Sequence, residues 1–400
     1  MTLSGARHDD LGATYIERGG RRAVAHYGRP EVAHRAVRNG VGVIEQGYGI
    51  VAVTGDDRIE YVDNVVTNRV PPTDGKGCYA FVLDPQGRIE TDCYIYNADD
   101  RLLLFTPPGQ AEPLVDDWAA KVFVQDVAID DVSTEFGVFG VHGPSATEKV
   151  ASVLNHAGAP EPELHLDRGS MGDAGVTVAA GDNPTGEDSY TVICGADDAP
   201  GVFDTLLNHG LNAAPFGDAT WNSLTVEAAT PRFTPELAGV LPNTVGARHG
   251  VDFEKGCFIG QEVVSKVENR GRPSTQLIGL RTDSLCVAGD SLRVDGDAVG
   301  ELTRAVDSPS LGEPIALAVC DSSALDGPFV VRSTADGSDA DDATAADDAA
   351  AADDATAADD AVADNDTTAA DDADTITVAA DRVELPFVDG SANSLRCPRY

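Results

Sequence analysis

Apolar residues along this chain fall in short runs broken by turn residues, the mark of a protein assembled from many brief strands and helices. Between residues 40 and 96 the runs are 49–53, a helically spaced stretch at 58–66, 79–83 and 89–96. Asp84-Pro85-Gln86-Gly87 joins the last two. Proline fixes φ early in such a turn and glycine accepts a positive φ late, so this spacing predicts an antiparallel hairpin. A second unit repeats the style, with strands at 137–141, 176–179 and 190–194 and a helix at 146–154 entered from Gly143-Pro144-Ser145. Helical spacing returns at 201–209 and 220–229, and a connector carrying Pro231, Pro235 and Pro242 leads on to 251–267.

Beyond Gln276 the texture becomes strands and turns, at 277–282, 291–294, 299–305 and 315–320. The predicted fold class is therefore α+β, with two interleaved α+β subdomains in residues 1–275 and an all-β, barrel-like domain in 276–400. Residues 335–374 hold fifteen Asp, no Lys or Arg and no aromatic, a composition with nothing to bury and an expectation of disorder. Strand-like sequence resumes at 375–380 and 382–388, so the acidic segment is expected to be an insertion between two strands of one domain.

Charge changes the picture next. The 28 Lys+Arg against 67 Asp+Glu give a net charge of −39, which argues against bare nucleic acid or an anionic membrane as partner. Removing the acidic segment leaves −39 + 15 = −24 on the other 360 residues, so the remainder is acidic too. Only five basic residues are lysine. Dispersed carboxylates with scarce lysine suit a halophile cytosol, where screening relieves self-repulsion. Seven cysteines at scattered spacings, without a C-x-x-C pair, read as reduced thiols and suggest no metal site. There is no apolar leader at the start and no apolar stretch of about 18 residues, so a cytoplasmic protein without membrane spans is expected.

Common nucleotide and metalloprotease templates are missing. The chain has no G-x-x-x-x-G-K-[ST], no H-E-x-x-H and no strand-adjacent G-x-G-x-x-G. Asp74-Gly75-Lys76-Gly77 lacks the Ser/Thr of a P-loop and reads as a turn feeding the hairpin. His142, in Val141-His142-Gly143-Pro144, reads as a loop histidine. The densest chemistry is Lys255-Gly256-Cys257-Phe258-Ile259-Gly260-Gln261-Glu262. Here two glycines bracket a thiol, and Lys255 stands close enough in sequence to depress its pKa. The other reading of Cys257 is a small buried hydrophobe.

At this octapeptide the sequence resembles the glycine-cleavage T-protein (aminomethyltransferase) and YgfZ superfamily, whose YgfZ branch carries K-G-C-[FY]-x-G-Q-E. The likeness covers most of the chain. Val53-Thr54-Gly55-Asp56-Asp57 with Val66-Thr67-Asn68 resembles the family's opening "V-x-G-x-D-A … T-N-D", and Tyr79–Leu83 with Gly87-Arg88-Ile89 resembles its "Y-x-L-x-L … G-x-I" hairpin. Val226-Glu227-Ala228-Ala229 resembles "I-E-A-G". Val299-Gly300-Glu301-Leu302-Thr303 with Ser308-Pro309-Ser310-Leu311-Gly312 resembles "V-G-x-V-T-S … S-P-x-L-G".

The resemblance implies a three-domain cloverleaf holding tetrahydrofolate in a central opening. By it, Asp92 orients the folate nitrogens at the carbon-transfer centre, Glu227 grips the pterin, Tyr79 and Tyr96 flank the ring, and Lys76 stands near the glutamate tail. Cys257 and Lys255 join Asp92 as candidate catalytic residues. The departures are Thr91, where the family has the first Asp of "D-D", and Ala229 in place of Gly. Retained acids favour one-carbon transfer with a lipoylated carrier protein as partner. The octapeptide favours the YgfZ-type role of supporting iron–sulfur enzymes. Residue by residue, other readings stay open: Asp92 as a turn cap, Glu227 paired with an arginine such as Arg232, and the tyrosines as ordinary sheet residues.

Overall fold

A computed structural model describes residues 2–334 and 375–400. The expected insertion at 335–374 lies outside the described residues. Three sheet units meet around one central core. The first is a five-stranded antiparallel sheet in the order Gly77–Leu83, Ile89–Asn97, Arg101–Thr106, Gly49–Thr54, Ala128–Asp131. The second has six strands, Leu166–Met171, Ala174–Ala180, Ser189–Gly195, Phe136–His142, Gly42–Glu45 and Ala214–Pro215. The third is a closed six-stranded barrel formed by residues within 275–383, which leaves no open sheet edge. A separate hairpin, Thr14–Arg18 with Arg21–His26, precedes them.

The predicted hairpin forms as its turn chemistry requires. Asp84 and Arg88 close it, the Gly87 N–H donates to the Asp84 carbonyl at 2.9 Å, and Gly87 takes a φ of +81°. Its strands lack a solvent face, which explains their near-continuous apolar runs. Alternation divides them between two cores. Cys78, Ala80, Val82, Cys93 and Ile95 pack toward Trp118 on the helix Ala111–Ala119. Tyr79, Phe81, Leu83, Tyr94 and Tyr96 face the central core, together with Val226, Leu277, Leu317 and Phe387 from the other units. Asp92 pairs with Phe81 and, two residues before Tyr94, shares that central face.

Three local expectations change. The stretch 375–388 forms one strand, Thr375–Val383, since Pro386 has no N–H to continue a ladder. The stretch 251–267 is loop as far as Gly260, whose φ of +77° precedes the helix Gln261–Arg270. His142 ends the strand Phe136–His142 and is buried against Trp221, ring centroids 4.9 Å apart. Burial pushes its imidazole down to about 3, so it is neutral near pH 7.

After the barrel the chain recrosses the molecule. The Phe387 N–H donates to the Glu227 carbonyl at 3.0 Å, Leu395 N–H to the Asp182 carbonyl at 3.1 Å, and Arg399 N–H to that of Gly246 at 3.0 Å. The Tyr400 hydroxyl donates to the Thr244 carbonyl at 2.7 Å and accepts from the Leu277 N–H at 2.6 Å. These last residues tie the three units together.

Candidate functional site

An open cleft of ≈ 1210 Å³, its mouth included, lies where the units meet, and Asp92, Tyr94, Phe105 and Trp221 are among its walls. Asp92 is buried. The Tyr79 hydroxyl donates to its Oδ2 at 2.7 Å, and Oδ1 has no partner. Burial pushes the Asp92 carboxyl above the usual carboxylate range, against the opposing pull of the Tyr79 hydroxyl and the Arg396 guanidinium. Asp92 lines the cleft, and its buried Oδ1, without a protein partner, keeps the capacity to accept a hydrogen bond.

Arg396 supplies the charge balance. Its Nε lies 3.0 Å from Asp182 Oδ2, outside hydrogen-bond geometry, and its Nη1 lies 4.0 Å from Asp92 Oδ2. The guanidinium lies 5.1 Å from the ring centroid of Tyr79 and 5.7 Å from that of Tyr94, a cation over two aromatic faces. Asp182 accepts the Tyr94 hydroxyl at 2.8 Å through Oδ1. Two carboxylates thus share one guanidinium in this buried group, and the guanidinium is kept protonated by its surroundings despite burial.

Of the residues singled out in the sequence, Tyr79 and Asp92 come together here. Tyr96 stands one layer back, nearly parallel to Tyr94 at 6.3 Å and edge-on to Phe105 at 5.5 Å. Lys76 bridges to His165 and is not among the cleft walls.

Glu227 is placed differently from the expectation that it grips a ring. It is fully buried at the junction of the helices Pro30–Asn39 and Asp218–Glu227 with the loop after the strand Asp297–Asp307. Oε1 accepts from Ser308 Oγ at 2.5 Å and Ser310 N at 3.2 Å. Oε2 accepts from Arg38 Nε at 3.1 Å, Arg38 Nη2 at 3.0 Å and Ser310 Oγ at 2.8 Å, with His34 Nε2 at 3.1 Å. Burial raises this carboxyl, but His34, Arg38 and Ser308 outweigh it and bring it down to about 2. Six protein contacts exhaust its lone pairs, so no capacity remains for a ligand. Its arginine is Arg38, while Arg232 pairs with Asp218 at 2.9 Å.

Lys255 and Cys257 also part company. The Lys255 ammonium donates to the carbonyls of Asp63, Val66 at 3.0 Å and Asn68 at 2.8 Å. It thus caps the C-terminal end of the helix Arg58–Val65, and its three N–H donors are spent there, leaving none for the Cys257 thiol. Cys257 is exposed and is not a cleft residue. A Cβ on Gly260 would lie 2.7 Å from Gly87 Cα, so the octapeptide packs tightly behind the hairpin that carries Asp92.

Sequence reasoning missed Tyr94, Asp182, Arg396 and Arg38. A buried carboxylate demands a cation, which was the available signal, but nothing in the sequence says which of 23 arginines answers. Among the described residues no group of three or more His, Cys, Asp or Glu could hold a metal ion, and no helix is long and apolar enough to cross a membrane.

Comparison with known proteins shows the family and the fold. The family model described as the GCVT N-terminal domain covers residues 5–255, and that of the glycine cleavage T-protein C-terminal barrel domain covers residues 275–346. Proteins called "Probable aminomethyltransferase" from two strains of Halobacterium salinarum are each 30% identical over 342 residues, spanning 81% of this chain and 92% of theirs. The crystal structure of glycine cleavage system aminomethyltransferase T from Bartonella henselae superposes with a TM-score of 0.77 at 17% identity, over 96% of this chain and 97% of that one. That likeness is one of fold.

Proposed function

The chain belongs to the glycine cleavage T-protein (aminomethyltransferase) family, and from that premise we propose that it transfers a one-carbon group to tetrahydrofolate held in the central cleft. The observation that carries this reading is Asp92, buried in the cleft wall with Oδ1 unpartnered. Aromatic walls from Tyr94, Phe105 and Trp221 suit a flat heterocycle. In an aminomethyl transfer, the donor carbon forms two C–N bonds to folate nitrogens while its C–S and C–N bonds break. The two protons displaced from those nitrogens leave on the thiol and the ammonia.

Each residue then has a defined task. Asp92 accepts from, and electrostatically favours, the nitrogen that gains positive character. The Tyr79 hydroxyl fixes the carboxylate through Oδ2. Arg396 and Asp182 surround it, and two acids beside one guanidinium favour a cationic transition state over a neutral ground state. Glu227 acts at a distance by joining two helices to the barrel. Reduced folate titrated into wild type and Asp92→Ala, followed by a transfer assay with a lipoylated carrier protein or a methylated amine, tests the reading. Folate binding without turnover in wild type would refute transfer.

A second reading, support of iron–sulfur enzymes in the manner of the YgfZ branch, is favoured by the exposure of Cys257. It requires that Cys257→Ser fail to restore the activity of cluster enzymes in a deletion strain. Restoration by that variant removes it.

A further inference from the structure

A buried histidine that bonds to nothing costs stability, and His142 is one. It ends the strand Phe136–His142 with 3% of its surface exposed, and neither Nδ1 nor Nε2 has a hydrogen-bond partner. Its ring packs on Trp221 and Phe216, with centroids 4.9 and 6.1 Å away. The strand Gly42–Glu45 pairs with this one, Ile44 opposite Gly140, and runs on into Gln46, whose Oε1 is likewise buried and without a partner. Gln46 and Trp221 are both cleft walls. His142 stands directly behind them.

Gly140 brings the two polar ends together. A Cβ there would lie 2.4 Å from His142 Nε2 and 3.1 Å from Gln46 Nε2, so both side chains lean over a residue that has none of its own. The sum of these distances bounds the separation of the two nitrogens, and it is shorter than two hydrogen bonds of about 2.9 Å laid end to end. One small molecule can touch both. A neutral imidazole has one N–H donor and one acceptor, and the Gln46 carbonyl adds a second acceptor. The complement is a small molecule with at least two donors and one lone pair. Charge narrows it further, because burial and the nearby Arg396 guanidinium hold the imidazole neutral and disfavour a cation beside it.

We infer that His142 and Gln46 form a subsite for neutral ammonia behind the cleft wall, which receives the amine leaving group of an aminomethyl transfer. This rests on the transfer reading above and narrows its donor to an aminomethyl compound. In that reaction the NH2 of the donor departs with the electron pair of the broken C–N bond and takes one of the two protons displaced from folate, leaving as NH3. Ammonia offers three donors and one lone pair, which two acceptors and one imidazole N–H match.

The reverse direction gives ammonia a measurable affinity. The full chain in concentrated salt is supplied with methylene-tetrahydrofolate, a reduced lipoylated carrier protein and ammonium chloride, and KM for ammonia is read separately from KM for the folate. His142→Phe should raise KM for ammonia about tenfold, as the loss of one buried hydrogen bond gives, and leave KM for the folate unchanged. His142→Gln, which keeps a donor and an acceptor, should recover part of the loss, and Gln46→Leu should weaken ammonia in the same way. A second readout is independent of turnover. In the folate-free protein at alkaline pH, ammonium chloride should shift the ring-nitrogen NMR resonances of one histidine, missing from the His142→Phe spectrum, and potassium chloride should not. Melting curves identify a variant that fails to fold, and Gln46→Leu, at the cleft wall, then serves instead of His142→Phe. Turnover in wild type with no ring shift, and with KM for ammonia unchanged in folded variants, makes this a water site only and overturns the subsite while keeping the transfer reading. Equal rises in both KM values overturn it too. A ring shift without turnover in either direction keeps the ammonia site and removes the transfer reading.

Discussion

Asp92 and Glu227 are both buried carboxylates, and their surroundings differ in a way that separates work from structure. Glu227 receives six protein contacts and its carboxyl is brought down to about 2. Asp92 receives one hydrogen bond, keeps one oxygen bare beside an open cleft, and is pushed upward by burial. A saturated carboxylate has no further bond to offer and serves to join elements. An unsaturated one costs stability unless something else completes it, and at the wall of a cleft that something is a ligand.

The comparison breaks first at Glu227, where the largest effect is expected. Glu227→Ala should destabilise the fold by about 3–5 kcal/mol in denaturant unfolding, because Arg38 is left buried without its partner. The pH dependence has a defined sign. The folded carboxyl lies near 2 against an ordinary 4.5, so its contribution is present above pH 4.5 and is lost as pH falls toward 2, roughly 3 kcal/mol by linkage. Glu227→Gln should remove that acid-dependent component. An unchanged acid limb in this variant would show that the clamp is not what holds the barrel to the helices.

Asp92→Ala should behave in the opposite sense, with transfer falling about a hundredfold or more, some 2.7 kcal/mol of barrier, and the melting temperature holding or rising. A melting temperature that drops as steeply as in Glu227→Ala would make Asp92 a structural residue as well. Lys255→Met should cost about 1–3 kcal/mol by orphaning helix-end carbonyls, with folate affinity unchanged. If the lysine instead activates Cys257, that variant would slow thiol labelling at Cys257 and leave stability alone. The smallest effect is expected for Cys257→Ser, within about 0.5 kcal/mol in stability and without effect on folate titration, because the side chain is exposed and outside the cleft.

The hairpin was legible because its turn is written in four adjacent residues, whereas Asp92 was singled out only by the family resemblance, against a background of many carboxylates. Lys255 was legible as an outlier in a chain with five lysines, but its task was misassigned. Sequence proximity put it beside Cys257, whereas the glycine between them lets the lysine turn inward under the helix Arg58–Val65 while the thiol faces out. Glu227 announced a need for partners by lying among Leu224, Val226 and Ala228, and the partners came from residues as distant in sequence as Arg38 and Ser310. Tyr96 has the right residue type for a ring slot, and Tyr94, two residues earlier on the same face, took the cleft wall.

Local rules thus determined what local chemistry can determine: turn types, the alternation that splits each strand between two cores, the barrel texture after Gln276 and the acidic cast of the whole. Tertiary structure decided which charges meet. Arg396 reaches Asp92 and Asp182 only because the chain recrosses the molecule after closing the barrel. A buried ion needs its partner within a few ångströms, and contacts at that range between distant segments are set by packing rather than by neighbours in the sequence.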